Sequence, residues 1–289
     1  GQGGEADIYR KGLEAYKVFK QPNHPDFQGD TALQTNAREK IAEHQHKLPA
    51  LKKLLLPARA AMPGELLHDK RGMIAGYQMN FVDDVELLIR YGEKDFRERG
   101  VSDELVVRTF LDLHRTVEAM HRAGAVISDF NDLNVLVKHG RPEAHLIDID
   151  SIGFGKYLSR MFTANFVDPL ICDPKASAPL MISPHTADTD WYAYLVMLMR
   201  SLLFVGPYGG VYRPQDKKKM VPHDARALKR ITVFDPDVRY PKPARPYRIL
   251  PDALLGHFEQ VFGKDKRGAP PISLIESLRF TTCSKCGAA

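Results

Sequence analysis

Residues 126–137 read VISDFNDLNVLV, and this stretch places four carboxylate or amide side chains inside an apolar run. The four are Asp129, Asn131, Asp132 and Asn134. Each one alone is typical of a turn, because Asp and Asn side chains bond to nearby backbone groups. Their joint spacing, together with the apolar triplet that follows them, indicates a polar loop that leads into a buried strand.

The residues after this loop predict an antiparallel hairpin. Two apolar segments, 135–137 and 145–147, flank the turn sequence HGRP. The open end of a hairpin joins the residue before its first strand to the residue after its second strand, here Asn134 and Asp148. An amide oxygen and a carboxylate at one point suit a hard cation such as Mg²⁺. Asp129 lies five residues before Asn134 and leads into the same end of the hairpin.

The composition narrows the class of protein. At 289 residues and 44% hydrophobic residues, the chain is long enough for one large domain or for two lobes that share a cleft. Its three cysteines argue against a disulfide framework and fit a reducing compartment. No apolar run reaches the ~20 residues of a membrane span, and the N-terminus shows no export-signal pattern. We therefore expect a cytoplasmic protein without membrane association.

The net charge of +5 is concentrated in one region. Residues 213–248 contain eleven Lys or Arg against four Asp, including the run Lys217-Lys218-Lys219. Such a region is a candidate surface for an acidic partner, an acidic substrate or nucleic acid, and a solvated loop is the alternative. Aromatic residues do not alternate with the basic ones, as a platform for stacking bases would require.

The predicted secondary structure changes along the chain. The first eighty or so residues combine short alternating strands with one charged helix, and from Ser102 onward longer amphipathic helices dominate. This pattern predicts an α+β fold with a small lobe over residues 1–82 and a larger helical lobe over residues 83–280. Clefts between lobes are common ligand sites.

In their order along the chain, several motifs resemble the protein-kinase-like superfamily. That family combines a glycine-rich loop, a strand lysine, an H-R-D-x-x-x-x-N catalytic loop and a D-F-G triplet. The matching stretches here are GQGGEA (1–6), AYK (15–17), ISDFNDLN (127–134), IDID (147–150) and the helix that begins DWYAYLVML (190–198).

The resemblance implies a two-lobed kinase fold with a small antiparallel-sheet N-lobe and a helical C-lobe. It implies ATP- and Mg²⁺-dependent phosphoryl transfer to the Ser or Thr hydroxyl of an unidentified protein substrate, as in divergent bacterial Ser/Thr protein kinases. The alternatives are a small-molecule phosphotransferase of the same fold and a pseudokinase that binds nucleotide without catalysis.

The resemblance also assigns roles to single residues. Lys17, taken as an exposed cleft lysine, contacts the phosphates, and Asp129 orients or deprotonates the acceptor hydroxyl. Asn134 and Asp148 hold Mg²⁺, with Asp150 as an auxiliary group that caps the following turn, and Asp190 braces the catalytic loop. The remaining nucleotide-binding candidates are Gly1, Gly3, Gly4, Ala6, Ile8, Asn80, Val82 and Glu39, with Glu43 as the alternative to Glu39 for the acidic partner of Lys17.

Five positions depart from the family pattern, and one of them is Asp150, which replaces the Gly of D-F-G. Ala6 replaces the third glycine of the loop, Ser128 replaces the Arg before the catalytic Asp, and Asn131 stands where Ser/Thr kinases have Lys. The segment FVDPLICDP (166–174) occupies the place of A-P-E without a Glu. Loss of the Arg argues against activation by a phosphorylated loop.

The last residues carry a separate pattern. Cys283 and Cys286 have the spacing of half a zinc ribbon. We expect residues 281–289 to begin a zinc module that is cut short here, and two unpaired cysteines are the alternative.

Overall fold

A computed structural model describes residues 4–280 and shows a mixed α+β protein with small antiparallel sheets. The described chain divides into two compact units. Unit 1 comprises residues 4–84 together with Leu146–Asp150, and unit 2 comprises Val85–His145 and residues 151–280.

Unit 1 contains a four-stranded antiparallel sheet with the strand order β1-β2-β4-β3. The dipeptide Lys11-Gly12 predicts a turn between two short strands, and the structure has a turn there, with Gly12 at a left-handed φ of 63°. In β2, alternate residues are buried, which places Ala15, Lys17 and Phe19 on the core face. The strands are β1 (Ala6–Lys11), β2 (Glu14–Phe19), β3 (Leu66–His68) and β4 (Ile74–Asn80).

One helix, α1 (Thr31–Leu51), packs on this sheet. Asp30 caps its N-terminus, because its carboxylate accepts hydrogen bonds from the backbone N–H groups of Ala32 and Leu33, each at 3.0 Å. The helix buries His44, and Leu48 lies in the core. The predicted charged helix of the small lobe is therefore present.

A short return segment completes unit 1. The backbone of Leu146 donates to Arg59 O at 2.8 Å and accepts from Ala61 N at 2.9 Å, which forms a parallel bridge. Ile149–Ser151 then form a single turn of 3₁₀ helix. Asp148 and Asp150 are thereby held among the residues of unit 1, although the first eighty residues lie far away in sequence.

Unit 2 is built around two long helices, α4 and α5. Helix α4 (Asp103–Arg122) begins at Ser102, whose hydroxyl accepts a hydrogen bond from Leu105 N at 3.1 Å, as predicted. Helix α5 (Ala187–Leu203) is buried along almost its whole length. The two helices pack against each other.

The contact between these helices is aromatic. Trp191 of α5 packs against the rings of His114 and His121 of α4, with ring centroids 4.6 and 5.5 Å apart. The Tyr194 hydroxyl donates to Phe110 O at 2.7 Å. The nearly continuous apolar sequence of α5 predicts a buried helix, and its burial in the structure confirms this.

Short elements complete unit 2. None of the helices within residues 4–280 combines the length and apolar composition needed to cross a membrane. The predicted hairpin is formed by β7 and β8, which pair with β5 in one sheet. The remaining elements are α2 (Leu88–Tyr91), α3 (Lys94–Arg97), α6 (Asp252–Lys264), α7 (Ser273–Glu276), β5 (Val85–Leu87), β6 (Ala125–Val126), β7 (Val135–Lys138), β8 (Ala144–Leu146), β9 (Gly153–Phe154), β10 (Val211–Tyr212) and β11 (Val238–Arg239).

The basic region 213–248 is only partly available to a partner. Lys217–Lys219 form an exposed 3₁₀ turn. Arg226, by contrast, is buried, and Arg230 and Arg245 are engaged in ion pairs with acidic side chains of unit 2. The exposed basic surface is therefore smaller than the composition indicates.

Candidate functional site

The core of unit 1 contains a lysine between two carboxylates. Lys17 Nζ donates to Asp150 Oδ1 at 2.6 Å and is also bonded to Asp148 Oδ1. The Tyr77 hydroxyl donates to the same Asp150 oxygen at 2.6 Å. Lys17 comes from β2 and Tyr77 from β4, and these residues are paired opposite each other in the sheet. The strand register therefore presents both donors to Asp150.

Because this cluster is buried, its charged groups strongly affect one another's pKa values. Burial alone would lower the pKa of Lys17, but the negative charge of Asp150, followed by Tyr77 and Asp148, raises it well above its ordinary value. Burial would raise the pKa of Asp150, yet the Lys17 charge holds it below its ordinary value. His44 lies 3.8 Å from Asp150 Oδ2, and burial lowers the pKa of His44 to about 4. At neutral pH Lys17 is thus an ammonium paired with the Asp150 carboxylate beside the neutral imidazole of His44.

Three expectations about this cluster need correction. Lys17 is buried, with 7% of its surface exposed, because the alternation of β2 turns it toward the core. Asp150 is fully buried and bonds to Lys17 and Tyr77, so its role is not that of an auxiliary turn cap. Within the described residues the partners of Lys17 are the two Asp side chains, and Glu39 and Glu43 are exposed on α1.

Asp148 has an unusual backbone conformation. Its φ is 61°, in the left-handed region that most residues avoid, although Asp tolerates it better than most. Its side chain keeps 29% of its surface exposed, in contrast to the fully buried Asp150. Strained backbone of this kind is concentrated at functional sites. Of the two carboxylates, Asp148 is the one accessible to a ligand from solvent.

In unit 2, Asp190 holds the loop that precedes Asp129. Its carboxylate accepts hydrogen bonds from the backbone N–H of Ile127 at 2.7 Å and of Ser128 at 2.9 Å, and it also contacts His121 Nε2 at 2.8 Å. Ser128 adopts a left-handed φ of 73°. The expected bracing of this loop by Asp190 is confirmed by these contacts, which fix the backbone immediately before Asp129.

The Asp129 carboxylate belongs to a small hydrogen-bonded triangle. The Thr163 hydroxyl donates to Asp129 Oδ1 at 2.8 Å, and Asn131 Nδ2 donates to the same oxygen at 3.0 Å. Asn131 Nδ2 is also 3.1 Å from Thr163 Oγ1. Both donors to Asp129 use Oδ1, so Oδ2 remains for another donor. The amide nitrogen of Asn134 donates to the Asp129 carbonyl at 2.9 Å.

The donor atoms predicted for the metal are chemically suited to Mg²⁺. The Asn134 nitrogen is committed to the Asp129 carbonyl, which leaves the amide oxygen as a ligand. Asp148 supplies a partly exposed carboxylate. Within residues 4–280 no group of three or more His, Cys, Asp or Glu is arranged to hold a metal ion. Mg²⁺ in proteins is commonly bound by one or two carboxylates plus substrate phosphates, and each of these oxygen atoms, one in each unit, is of the type that this ion takes.

The other predicted nucleotide-binding residues are distributed along unit 1. Gly4 is exposed before β1, and Ala6 is the buried first residue of that strand. Ile8 lies directly opposite Lys17 in the sheet. Asn80 ends β4, and Val82 follows two residues later. The predicted residues Gly1, Gly3, Cys283 and Cys286 lie outside the described residues.

Sequence reasoning did not identify the partner of the buried Asp168. Asp168 is buried and forms a two-pronged ion pair with Arg267, with distances of 2.5 and 2.7 Å. Asp168 also accepts a hydrogen bond from Leu170 N at 2.9 Å, at the start of a 3₁₀ turn. The Asp-Pro dipeptide signals such a turn, but the distant arginine has no local signal. The pair anchors the segment 166–174, which occupies the place of A-P-E without its Glu.

Comparison of the chain with models of known protein families finds no matching family, and comparison with curated proteins finds no match. The site is therefore interpreted from its own residues.

Proposed function

We propose that this chain uses ATP and Mg²⁺ to transfer a phosphoryl group to a hydroxyl, on a Ser or Thr residue of a protein substrate, with a two-lobed kinase-like fold. One observation carries the proposal. Lys17 and Asp148, singled out by two motifs 131 residues apart in the sequence, are bonded to each other in the core of unit 1. A kinase requires its strand lysine and its metal-binding Asp at the same nucleotide phosphates.

The roles follow from the chemistry of each residue. Lys17 supplies a positive charge for the phosphates, while Asp148 and Asn134 would hold the metal through oxygen atoms. Bound Mg²⁺ would neutralise charge on the transferred phosphoryl group. Asp129 accepts the proton of the acceptor hydroxyl, or orients that hydroxyl, through Oδ2. Its Oδ1 is occupied by the donors Thr163 and Asn131. Catalysis of this kind depends on positioning and electrostatics rather than on covalent bonding to the protein.

Two features indicate an activity that does not depend on phosphorylation of an activation loop. Ser128 has no charge with which to dock a phosphorylated loop, yet its backbone is fixed by Asp190 without any such modification. Asn131 replaces the usual Lys and holds Asp129 and Thr163 by its amide instead. The Asp129 loop is therefore ordered by the unmodified chain.

The test is phosphoryl transfer from ATP carrying a labelled γ-phosphate. The protein is incubated with Mg²⁺ alone, with generic protein substrates and with a panel of small hydroxyl compounds. Label on protein in the wild type, lost in Asp129→Asn, supports the proposal. Label on a small molecule alone would favour the first alternative, and nucleotide binding without any transfer would favour the pseudokinase. Asp252→Asn, at an exposed position in the first turn of α6 and outside the motifs, serves as the matched control.

A further inference from the structure

The structure and the motif pattern give Lys17 different acidic partners. Asp150 is fully buried, and its Oδ1 lies 2.6 Å from Lys17 Nζ. Glu39 and Glu43, the acidic residues of α1 considered for this role, are exposed. The residue that follows Glu43 in α1, His44, is instead buried.

We propose that Asp150 is the positioning residue for Lys17, the carboxylate that holds the lysine ammonium toward the nucleotide phosphates in place of a glutamate from α1. This inference rests on the proposed phosphoryl-transfer function. Asp150 acts through Lys17 and does not itself contact the reacting groups.

Asp150 is itself rigidly held, as a positioning residue must be. Tyr77 donates to Oδ1 from β4, and the backbone of Asp150 lies within a 3₁₀ turn that begins directly after Asp148. On the other side, His44 faces Oδ2 at 3.8 Å. Because the carboxylate is enclosed by the sheet and the helix, it has little freedom to move, and the lysine bonded to it is fixed in turn.

The second carboxylate in the cluster is less suited to this role. Asp148 is partly exposed and is the proposed Mg²⁺ ligand, so a bound cation would compete with Lys17 for its oxygens. Asp150 has no exposed surface, and its Oδ1 is bonded to both Lys17 and Tyr77. Asp148 would therefore bind the metal, and Asp150 positions the lysine.

The test is a double-mutant cycle on Lys17→Met and Asp150→Asn. We expect Asp150→Asn to lower kcat by about 10²-fold, the scale for a misplaced reacting group. In the Lys17→Met background, the same substitution should cause almost no further loss, because Asp150 acts through the lysine. The Mg²⁺ concentration for half-maximal rate should stay unchanged in Asp150→Asn. Asp26→Asn, which removes the carboxylate bonded to Lys20 at 2.5 Å in the same unit, is the matched control.

Three results would overturn the inference. The first is additive losses from the two substitutions, and the second is a raised Mg²⁺ requirement in Asp150→Asn, which would make it a metal ligand. The third is a Glu39→Gln substitution that lowers kcat in the wild type but causes no further loss in the Lys17→Met background.

A second cycle separates this inference from the proposed function. The same four proteins are unfolded with urea in the absence of nucleotide. Strong coupling between Lys17 and Asp150 in this experiment, with no phosphoryl transfer by the wild type, would remove the function and leave the pairing intact. Absence of coupling would remove the inference even if transfer occurs. If Asp150→Asn alone does not fold, recovery of folding in the double variant supports the pair, and failure to recover contradicts it.

Discussion

Removal of the Tyr77 hydroxyl measures how much the buried Asp150 charge depends on its neighbours. Tyr77→Phe keeps the ring, which is fully buried, and deletes only the donor at 2.6 Å from Asp150 Oδ1. A hydrogen bond to a charged acceptor contributes about 1.5–3 kcal/mol, against about 0.5–1.5 kcal/mol for a neutral pair. Tyr194→Phe is the matched control, because Tyr194 is equally buried and donates to the neutral Phe110 carbonyl at 2.7 Å.

The assay is the free energy of opening, measured by native-state hydrogen exchange at the amides of β4 for Tyr77→Phe and of α5 for Tyr194→Phe. We expect the loss in β4 to exceed the loss in α5 by about 1 kcal/mol or more at pH 7. The Lys17 charge lowers the pKa of Asp150, so its charge-dependent stability is full above the unfolded pKa of about 3.9 and is lost as the pH falls through the folded pKa. The difference should therefore persist at pH 5. Equal losses in the two variants at pH 7 would refute the view that Tyr77 binds an ionised Asp150.

Three further changes test other parts of the structure. Thr163→Val removes a donor to Asp129 and should lower kcat, by less than the ~10²–10⁴-fold expected for loss of a general base. The control variant Thr163→Ser keeps the hydroxyl and should retain the rate. Equal rates for the two variants would contradict a role of the Thr163 hydroxyl in holding Asp129. In Gly76→Ala the new Cβ would clash with the backbone carbonyl oxygen of Lys17 in β2. We therefore expect faster hydrogen exchange in β2, and unchanged exchange would show that the strand tolerates a side chain. Asp168→Asn leaves Arg267 without its buried partner and should cost about 3–5 kcal/mol in urea unfolding; a loss below 1 kcal/mol would mean that the pair is not formed.

Local patterns were sufficient for the elements that carry periodic signals. The Ser102 cap and the helical spacing of apolar residues predicted α4 correctly, and the triplets around the HGRP turn predicted the β7–β8 hairpin. The sequence PISLIESLRF (271–280) has helical composition, but only Ser273–Glu276 form a helix there. Its few residues give too short a pattern to define where a helix ends.

The buried position of Lys17 had a readable signal. Ala15, Lys17 and Phe19 alternate along one strand, so the apolar neighbours on both sides place the lysine on the core face. The motif resemblance outweighed this periodicity and led to the expectation of an exposed lysine.

The partner of that lysine had no such signal. Asp150 reaches Lys17 because Asp148 takes a left-handed conformation and the chain then turns through a 3₁₀ helix. Neither feature follows from the letters IDID. Thr163 likewise lies in a segment without regular periodicity, and only tertiary structure brings its hydroxyl to Asp129.

The packing of Trp191 gives this molecule an intrinsic optical reporter. Trp191 is the single tryptophan of the chain, and its neighbour Asp190 bonds the backbone before Asp129. The ring of His121, which contacts the same carboxylate, lies against the indole. Any rearrangement of the Asp129 loop that disturbs Asp190 or His121 therefore changes the surroundings of the only indole. Emission from the unlabelled protein can thus follow the state of this loop in real time.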